Sequence, residues 1–413
     1  MSFVSHVECT VCGQRHDPKR TLGVCERCGQ MLAVRYDLAR VARAVGKETL
    51  RARPPGMYRF RELTPLDDGE APVTLGEGGT PVLELPRLAA HFGVRTIWGK
   101  DEGQNPTGSF KARGLGMAIT RARTLGARGF IIPSAGNAGG AAAVYAARCG
   151  LPCAVIVPRA TPRAAVAEAA IAGARVFTID GTIATAGRVV AKVAPAIGWF
   201  DLSTLKEPYR LEGKKTMGLE LAEQLDWTPP DWLLYPTGGG TGLVGIPKAY
   251  DELRAMGWIA GRGPRYVAVQ GEGCAPVVDA FQAGAETTTG IDNPPLVAAG
   301  LRVPSPFAGR QMLKILRDSD GDAVAVSERA ITEAQRLLAR LEGIWTSPEG
   351  AALIAALGVL KDRGRITPDA RVVIMLTGAG IKYEAPELPT PHDLSGSAEE
   401  VHQQVIVALS AMS

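Results

Sequence analysis

Four cysteines open the chain as two close pairs, Cys9-x2-Cys12 and Cys25-x2-Cys28, separated by twelve residues. Thiolates at this spacing can converge on one zinc ion at about 2.3 Å each, and four such ligands leave no open position, so the site would be structural. Gly13 and Gly29 follow the second cysteine of each pair and permit the tight turn that aims backbone amides at sulfur. Two disulfides, or four thiols without metal, are the alternatives, and a reducing compartment disfavours the disulfides. With the set already full, His6 and His16 read as surface residues. Cys149 and Cys153 fit buried packing, and Cys274 in GEGCAP is left open.

Further along, Lys111 stands in Asn105-Pro-Thr-Gly-Ser-Phe-Lys-Ala-Arg-Gly114. A lysine at a loop-to-helix junction among small residues can condense with an aldehyde cofactor, provided that burial or nearby positive charge keeps it partly neutral. Arg113 is close in sequence, although a helix would point it elsewhere. Most single lysines are solvated, so Lys111 needs company. Pro236-Thr-Gly-Gly-Gly-Thr-Gly242 supplies it. Successive glycine amides at a helix start can wrap a phosphate. No Gly-Lys-Ser/Thr follows, which excludes a nucleoside-triphosphate loop, and no acidic residue is placed as in a dinucleotide fingerprint. Pro133-Ser-Ala-Gly-Asn137-Ala-Gly offers amides suited to a carboxylate, with Asn137 either a ligand or a helix N-cap. Leu376-Thr-Gly-Ala-Gly380 places the Thr377 hydroxyl at the end of an apolar run.

These segments need elements to hold them, and the sequence supplies an alternation. A polar helix is expected over 37–53. Strands are expected at 96–100, 129–133, 153–158, 175–179, 232–235, 265–270 and 371–376. Helices are expected at 114–125, 139–148, 162–172 and 182–193, with a terminal helix in 395–413. Short connections between strand and helix imply parallel strands with right-handed crossovers. The glycine clusters fall just after strands, where open α/β sheets place their ligands, so one shared crevice is expected.

Composition narrows the classes. At about 150 residues per domain, 413 residues make two to four domains. The 46 basic and 42 acidic residues give a net charge of +4, too dilute for a dedicated nucleic-acid binder, and aromatics at 6% do not suggest base stacking. With 46% hydrophobic residues the chain has the material for a core. The uncharged run 129–147 is broken by Pro133, Ser134, Asn137 and glycines, so no membrane span is expected. No signal peptide is read at the start, which points to the cytoplasm.

In their order, NPTGSFKARG, PSAGNAG, PTGGGTG and LTGAG resemble the pyridoxal-phosphate enzymes of the tryptophan-synthase-β fold type, and with the cysteine ribbon they resemble the threonine synthases most. The resemblance runs from Cys9 to about Tyr383. It implies fold type II: two open, twisted, mostly parallel sheets flanked by helices, with an N-terminal zinc-ribbon-like element. The implied domains are a ribbon at 1–35, a large α/β domain at 36–98 and 200–413, and a small one at 99–199. Pyridoxal 5'-phosphate would attach to Lys111, which would also shuttle protons. Phe110 would pack beside the ring, Asn137 would bond its phenolic oxygen, and Gly238, Gly239, Gly240, Thr241 and Gly242 would cradle its phosphate. Thr377 would face the ring nitrogen. Ser134, Ala135 and Gly136 would bind the substrate carboxylate. The implied reaction is O-phosphohomoserine plus water giving threonine and phosphate. Arg210 and Lys215, in YRLEGKKT, are the candidates for the leaving phosphate, and Glu207 would repel it. Other relatives of the fold type offer the runner-up activities: threonine/serine dehydratase, a diaminopropionate-forming β-replacement enzyme, or cysteate synthase. Dehydratases usually carry cysteine or serine at the position of Thr377. A binding module on a dead enzyme scaffold is a further class, against which Lys111 stands. A homodimer acting on a small amino acid, without nucleic acid or membrane, completes the expectation.

Overall fold

The computed structural model describes residues 2–292, 294, 298–386, 391 and 393–410. By its contacts the chain forms two units, Met1–Tyr383 and Glu384–Ser413. Among its described residues the second contains one helix, Ala398–Ser410 (α14).

The first unit begins with a three-stranded antiparallel sheet, β1 (Val4–Cys9), β2 (Arg15–His16) and β3 (Leu32–Tyr36), in the order β2-β1-β3. Where one polar helix was expected over 37–53, two short helices form, α1 (Leu38–Ala44) and α2 (Lys47–Arg51), because Val45 is extended and Gly46 starts a new helix.

Then come β4 (Val82–Glu84), α3 (Pro86–Phe92), β5 (Thr96–Asp101), α4 (Lys111–Thr124), β6 (Phe130–Pro133), α5 (Asn137–Cys149), β7 (Cys153–Pro158), α6 (Arg163–Ile171), β8 (Arg175–Ile179), α7 (Ile183–Ile197) and β9 (Phe200–Asp201). The rest of the unit is α8 (Tyr209–Gln224), β10 (Trp232–Pro236), α9 (Thr241–Ala255), β11 (Arg265–Gly271), α10 (Pro276–Gln282), α11 (Gly309–Asp318), β12 (Asp322–Val326), α12 (Glu328–Glu342), α13 (Pro348–Asp362) and β13 (Arg371–Leu376).

Six strands form a sheet in the order β12-β11-β10-β13-β5-β4, parallel except for β4, and four form a parallel sheet in the order β8-β7-β6-β9. The apolar runs WLLYP, RYVAVQG and RVVIML make the central strands of the larger sheet, covered on both faces as parallel strands require. The fold is therefore the two-sheet α/β fold expected. The expected domain limits at 98/99 and 199/200 do not follow the sheets. β5 stays in the six-stranded sheet to Asp101, and β9, at 200–201, belongs to the four-stranded one.

Strand order explains where the site lies. From β10 the chain winds outward through β11 and β12, whereas β13 lies on the other side of β10, beside β5. That reversal opens a crevice beyond the carboxyl ends of β10 and β13. The loops there are Thr237–Gly240 and Thr377–Ala379, both glycine clusters of the sequence. In the smaller sheet β6 has β7 on one side and β9 on the other, and its carboxyl end delivers Ser134–Gly136.

Candidate active site

Lys111 is the first residue of α4. The loop before it is stitched to the end of β13: the Phe110 amide donates to the Thr377 carbonyl at 3.0 Å, the Ala379 amide to the Gly108 carbonyl at 2.9 Å, and Ser109 bridges to Gly378. Lysine and threonine loops are thus one rigid structure. The Phe110 ring meets Tyr235 edge-on, and the Lys111 Nζ sits 4.3 Å from its centroid. Burial, reinforced by the Arg210 charge and opposed by Glu349, lowers the Lys111 pKa to about 7. Near neutrality a large fraction of this amine is unprotonated and nucleophilic.

The four glycines of the Gly238–Gly242 turn have little room for side chains. A Cβ would lie 2.2 Å from the Gly300 carbonyl oxygen at Gly238, 2.8 Å from Thr204 at Gly239, 2.2 Å from the Met312 sulfur at Gly240 and 2.1 Å from Tyr235 at Gly242. Gly240 also has φ +79°. No side chain caps α9, so its leading amides face an approaching anion. This is a cradle that fits a cofactor phosphate.

Asn137 begins α5, with Gly136 in the N-cap position, so the N-cap reading of Asn137 does not hold. Its Nδ2 donates instead to the Tyr383 hydroxyl at 2.8 Å. Ser134 Oγ accepts from the Gly136 and Gly139 amides at 3.2 and 2.8 Å and donates to the Gly136 carbonyl, so it shapes its own loop. Thr377 is buried, with its hydroxyl at the end of β13.

Helix α8 brings Arg210 to this region. Its Nη1 donates to the Leu202 carbonyl at 2.6 Å and to Thr204 Oγ1 at 3.3 Å, beside the glycine turn. Its Nε and Nη2 are buried without a hydrogen-bond partner among the described residues. Glu207, suspected of repelling an anion, turns back on its own helix: it accepts from the Tyr209 and Arg210 amides at 2.7 and 3.0 Å, and burial raises its pKa to about 7. Lys215 is not brought to the crevice. It pairs with Glu212 at 2.7 Å and Glu252 at 2.8 Å, against the Tyr36 ring. Its neighbour Lys214 goes there instead, bonded to the Phe110 carbonyl, with its amine 4.1 Å from the Phe110 ring. Burial and the charges of Lys111 and Arg210 hold its pKa well below the ordinary lysine range. Arg113 points away, into a buried network with Glu102 at 2.6 Å and Glu220 at 2.7 Å.

Sequence reading passed over Lys214, Glu349 and Tyr383. One position along a helix separates Lys214 from Lys215, and no local pattern marks the other two.

At the N-terminus the Sγ atoms of Cys9, Cys12, Cys25 and Cys28 all lie within 4.8 Å of one another. Four thiolates around one zinc at about 2.3 Å would stand at such separations, so the donor set fits. His16, expected at the surface, is buried beside Cys25, and His6 is half-buried. Cys153 and Cys274 are buried, whereas Cys149 is half-buried against the same core as Cys153.

A family model for pyridoxal-phosphate-dependent enzymes matches residues 73–378. The threonine synthase of Methanosarcina acetivorans is 36% identical, over 91% of this chain and 92% of that protein. That of Mycobacterium leprae is 35% identical, over 82% and 91%. Among solved structures, maize serine racemase superposes with a TM-score of 0.63 at 22% identity, covering 81% of this chain and 93% of that one, which speaks for the fold. A buried lysine of lowered pKa together with a glycine-rich turn that fits an anion agrees with these likenesses, and the chain belongs to the pyridoxal-phosphate-dependent enzymes of fold type II, as a lyase of the threonine synthase family.

Proposed function

We propose that the protein converts O-phosphohomoserine and water into threonine and phosphate. The observation that carries this reading is Arg210: a buried guanidinium with two donors unengaged, whose charge reaches Lys111. A guanidinium fork left open in a buried place calls for an anion, and a departing phosphate is one. With Glu207 turned onto its helix, its carboxylate is occupied by backbone donors. The 36% identical threonine synthase supports the same substrate.

Pyridoxal phosphate, when bound, supplies an electron-withdrawing ring that acidifies the carbon bonds next to the substrate nitrogen. Lys111 would hold it, Gly238, Gly239, Gly240, Thr241 and Gly242 would take its phosphate, Asn137 its phenolic oxygen and Thr377 its ring nitrogen, with Phe110 alongside. A neutral threonine hydroxyl does not enforce ring protonation as a carboxylate would. The backbone of Ser134, Ala135 and Gly136 would hold the substrate carboxylate. Lys111, with a pKa near 7, can take a proton from one carbon and return it to another at neutral pH. Arg210 would orient the γ-phosphate and stabilise it as it leaves. In this reading the ribbon carries one structural zinc on Cys9, Cys12, Cys25 and Cys28, and the protein works in the cytoplasm as a homodimer.

Incubation with O-phosphohomoserine decides the matter. Release of phosphate with formation of threonine is the expected result. Ammonia and a 2-oxo acid from threonine, without phosphate release, would make the protein a dehydratase.

A further inference from the structure

Glu349, the second residue of α13, is only 6% exposed. Its Oε1 accepts the Gly300 amide at 2.8 Å. Its Oε2 is buried and completes no hydrogen bond among the described residues, although the Tyr383 hydroxyl stands beside the carboxylate. The helix start does not occupy it, because the Ser347 hydroxyl takes the Gly350 amide. Around this carboxylate stand groups of the crevice. From α4, Lys111 feels its charge, which favours the protonated amine. From the segment after β13, the Tyr383 hydroxyl accepts from Asn137 and stands within hydrogen-bonding reach of the Glu349 and Ser347 side chains; burial and Glu349 hold its pKa well above the usual range. The Gly300 carbonyl crowds Gly238 of the anion turn. From α8, Arg210 and Lys214 add positive charge near Lys111.

A buried carboxylate oxygen that completes no hydrogen bond is costly, and the Tyr383 phenol beside it brings no positive charge, so a bound species should supply one. A cofactor phosphate and a substrate carboxylate are both anions and would be repelled. An amino-acid substrate carries one group of the right sign, its ammonium.

We propose that Glu349 is a substrate-recognition residue: its Oε2 receives the ammonium of the incoming amino acid and accepts the proton that this nitrogen must lose to become a nucleophile. The N–H bond breaks, an O–H bond forms on Glu349, and the electron pair stays on nitrogen. The inference rests on the reading above that the substrate is an amino acid.

Two variants test it, Glu349→Gln and Glu349→Asp. In the cofactor-free protein, the pH dependence of Lys111 modification by trinitrobenzenesulfonate is read by peptide mass spectrometry. Removing the carboxylate charge should lower the midpoint by about half a unit or more in the Gln variant, and by less in the Asp variant. In the loaded protein, binding of serine, threonine and O-phosphohomoserine is followed by cofactor absorbance. Glu349→Gln should weaken all three by about tenfold near pH 7, with the loss shrinking as pH rises through the ammonium titration of the free amino acid. The Asp variant should show a smaller loss of the same trend, and it carries the test if the Gln variant does not fold. A parental midpoint together with a pH-independent loss in the folded variants would overturn the proposal and leave Glu349 as an anchor for Gly300. If the binding trend holds but no phosphate is released, the Glu349 assignment stands and the substrate assignment falls.

Discussion

The two side chains proposed to carry the chemistry, Lys111 and Arg210, have properties that a local motif does not show. Lys111 loses its proton at about 7 in the folded chain and near the ordinary 10.5 when unfolded. Between those values the unfolded chain binds more protons, so this group makes stability rise with pH across that window. Below pH 7 the whole cost of burying the charge is present. Lys111→Met should therefore raise the melting temperature of the cofactor-free protein by a few degrees at pH 7, with the gain fading toward pH 10, while abolishing the shift in absorbance that added pyridoxal phosphate shows on forming an imine with the protein. Calorimetry across pH and a simple spectrum check both. For Arg210 the distinguishing variant is Arg210→Gln. It should leave cofactor absorbance in place and lower kcat/KM for phosphate release by about 10²–10³-fold, the usual size of losing a charged donor aimed at developing charge. An unchanged kcat/KM would remove Arg210 from the phosphate site. The identity of Lys111 was legible in its motif. Its lowered pKa was not, because the burial that mainly causes it comes from tertiary packing, and Arg210, which adds to it, and Glu349, which opposes it, lie about 100 and 240 residues away.

At the level of elements, sequence and structure agree where the pattern is local. Apolar runs such as WLLYP and RVVIML are strands, and the glycine turns follow them as expected. The crossings between helices were hidden. A Cβ at Gly213 would come 2.2 Å from the Arg113 carbonyl oxygen, and one at Gly114 2.9 Å from Lys214 Cε, so α4 and α8 meet through glycines. This close approach is what turns Lys214 and Arg210 toward the lysine loop and leaves Lys215 to Glu212 and Glu252. Gly245 does the same for α9: its Cβ would lie 3.0 Å from Lys214 Cβ, 3.0 Å from the Lys215 amide nitrogen and 3.2 Å from the Leu211 carbonyl oxygen. Backbone atoms of α8 cannot yield as a flexible side chain would. Gly245→Ala should cost about 1–3 kcal/mol by denaturant unfolding. Because α9 begins at the anion turn, the same variant should also raise the dissociation constant for pyridoxal phosphate severalfold. Retained stability and affinity would mean that the helices can separate without consequence.

On the scale of the first unit, Met1–Tyr383, the ribbon shares a core with the catalytic helix. Val7, Cys9, Leu22, Cys25, Leu32 and Val34 pack in one buried cluster with Ala112, Leu115, Ala118 and Ile119 of α4, the helix that starts at Lys111. Tyr36, at the end of β3, donates from its hydroxyl to Glu212 of α8 at 2.7 Å. The cysteine spacing pointed to four sulfurs that could share a metal, and they do converge, but it gave no sign that the ribbon packs on α4 and α8, since that contact depends on how distant segments pack. Four sulfurs within 4.8 Å of one another would be favourable as thiolates only with a cation among them, so metal binding, where it occurs, would be coupled to ribbon folding. Metal analysis should give one zinc per chain. Stripping it with a chelator after mercurial treatment should lower the melting temperature, expose ribbon amides to hydrogen exchange and then those of α4, and weaken pyridoxal phosphate binding, with zinc restoring all three. Cys12→Ser should act in the same direction without chelator. Loss of zinc that frees the ribbon amides yet leaves α4 protection and cofactor affinity unchanged would show the ribbon to be an independent appendage, and the shared apolar cluster to transmit nothing to Lys111.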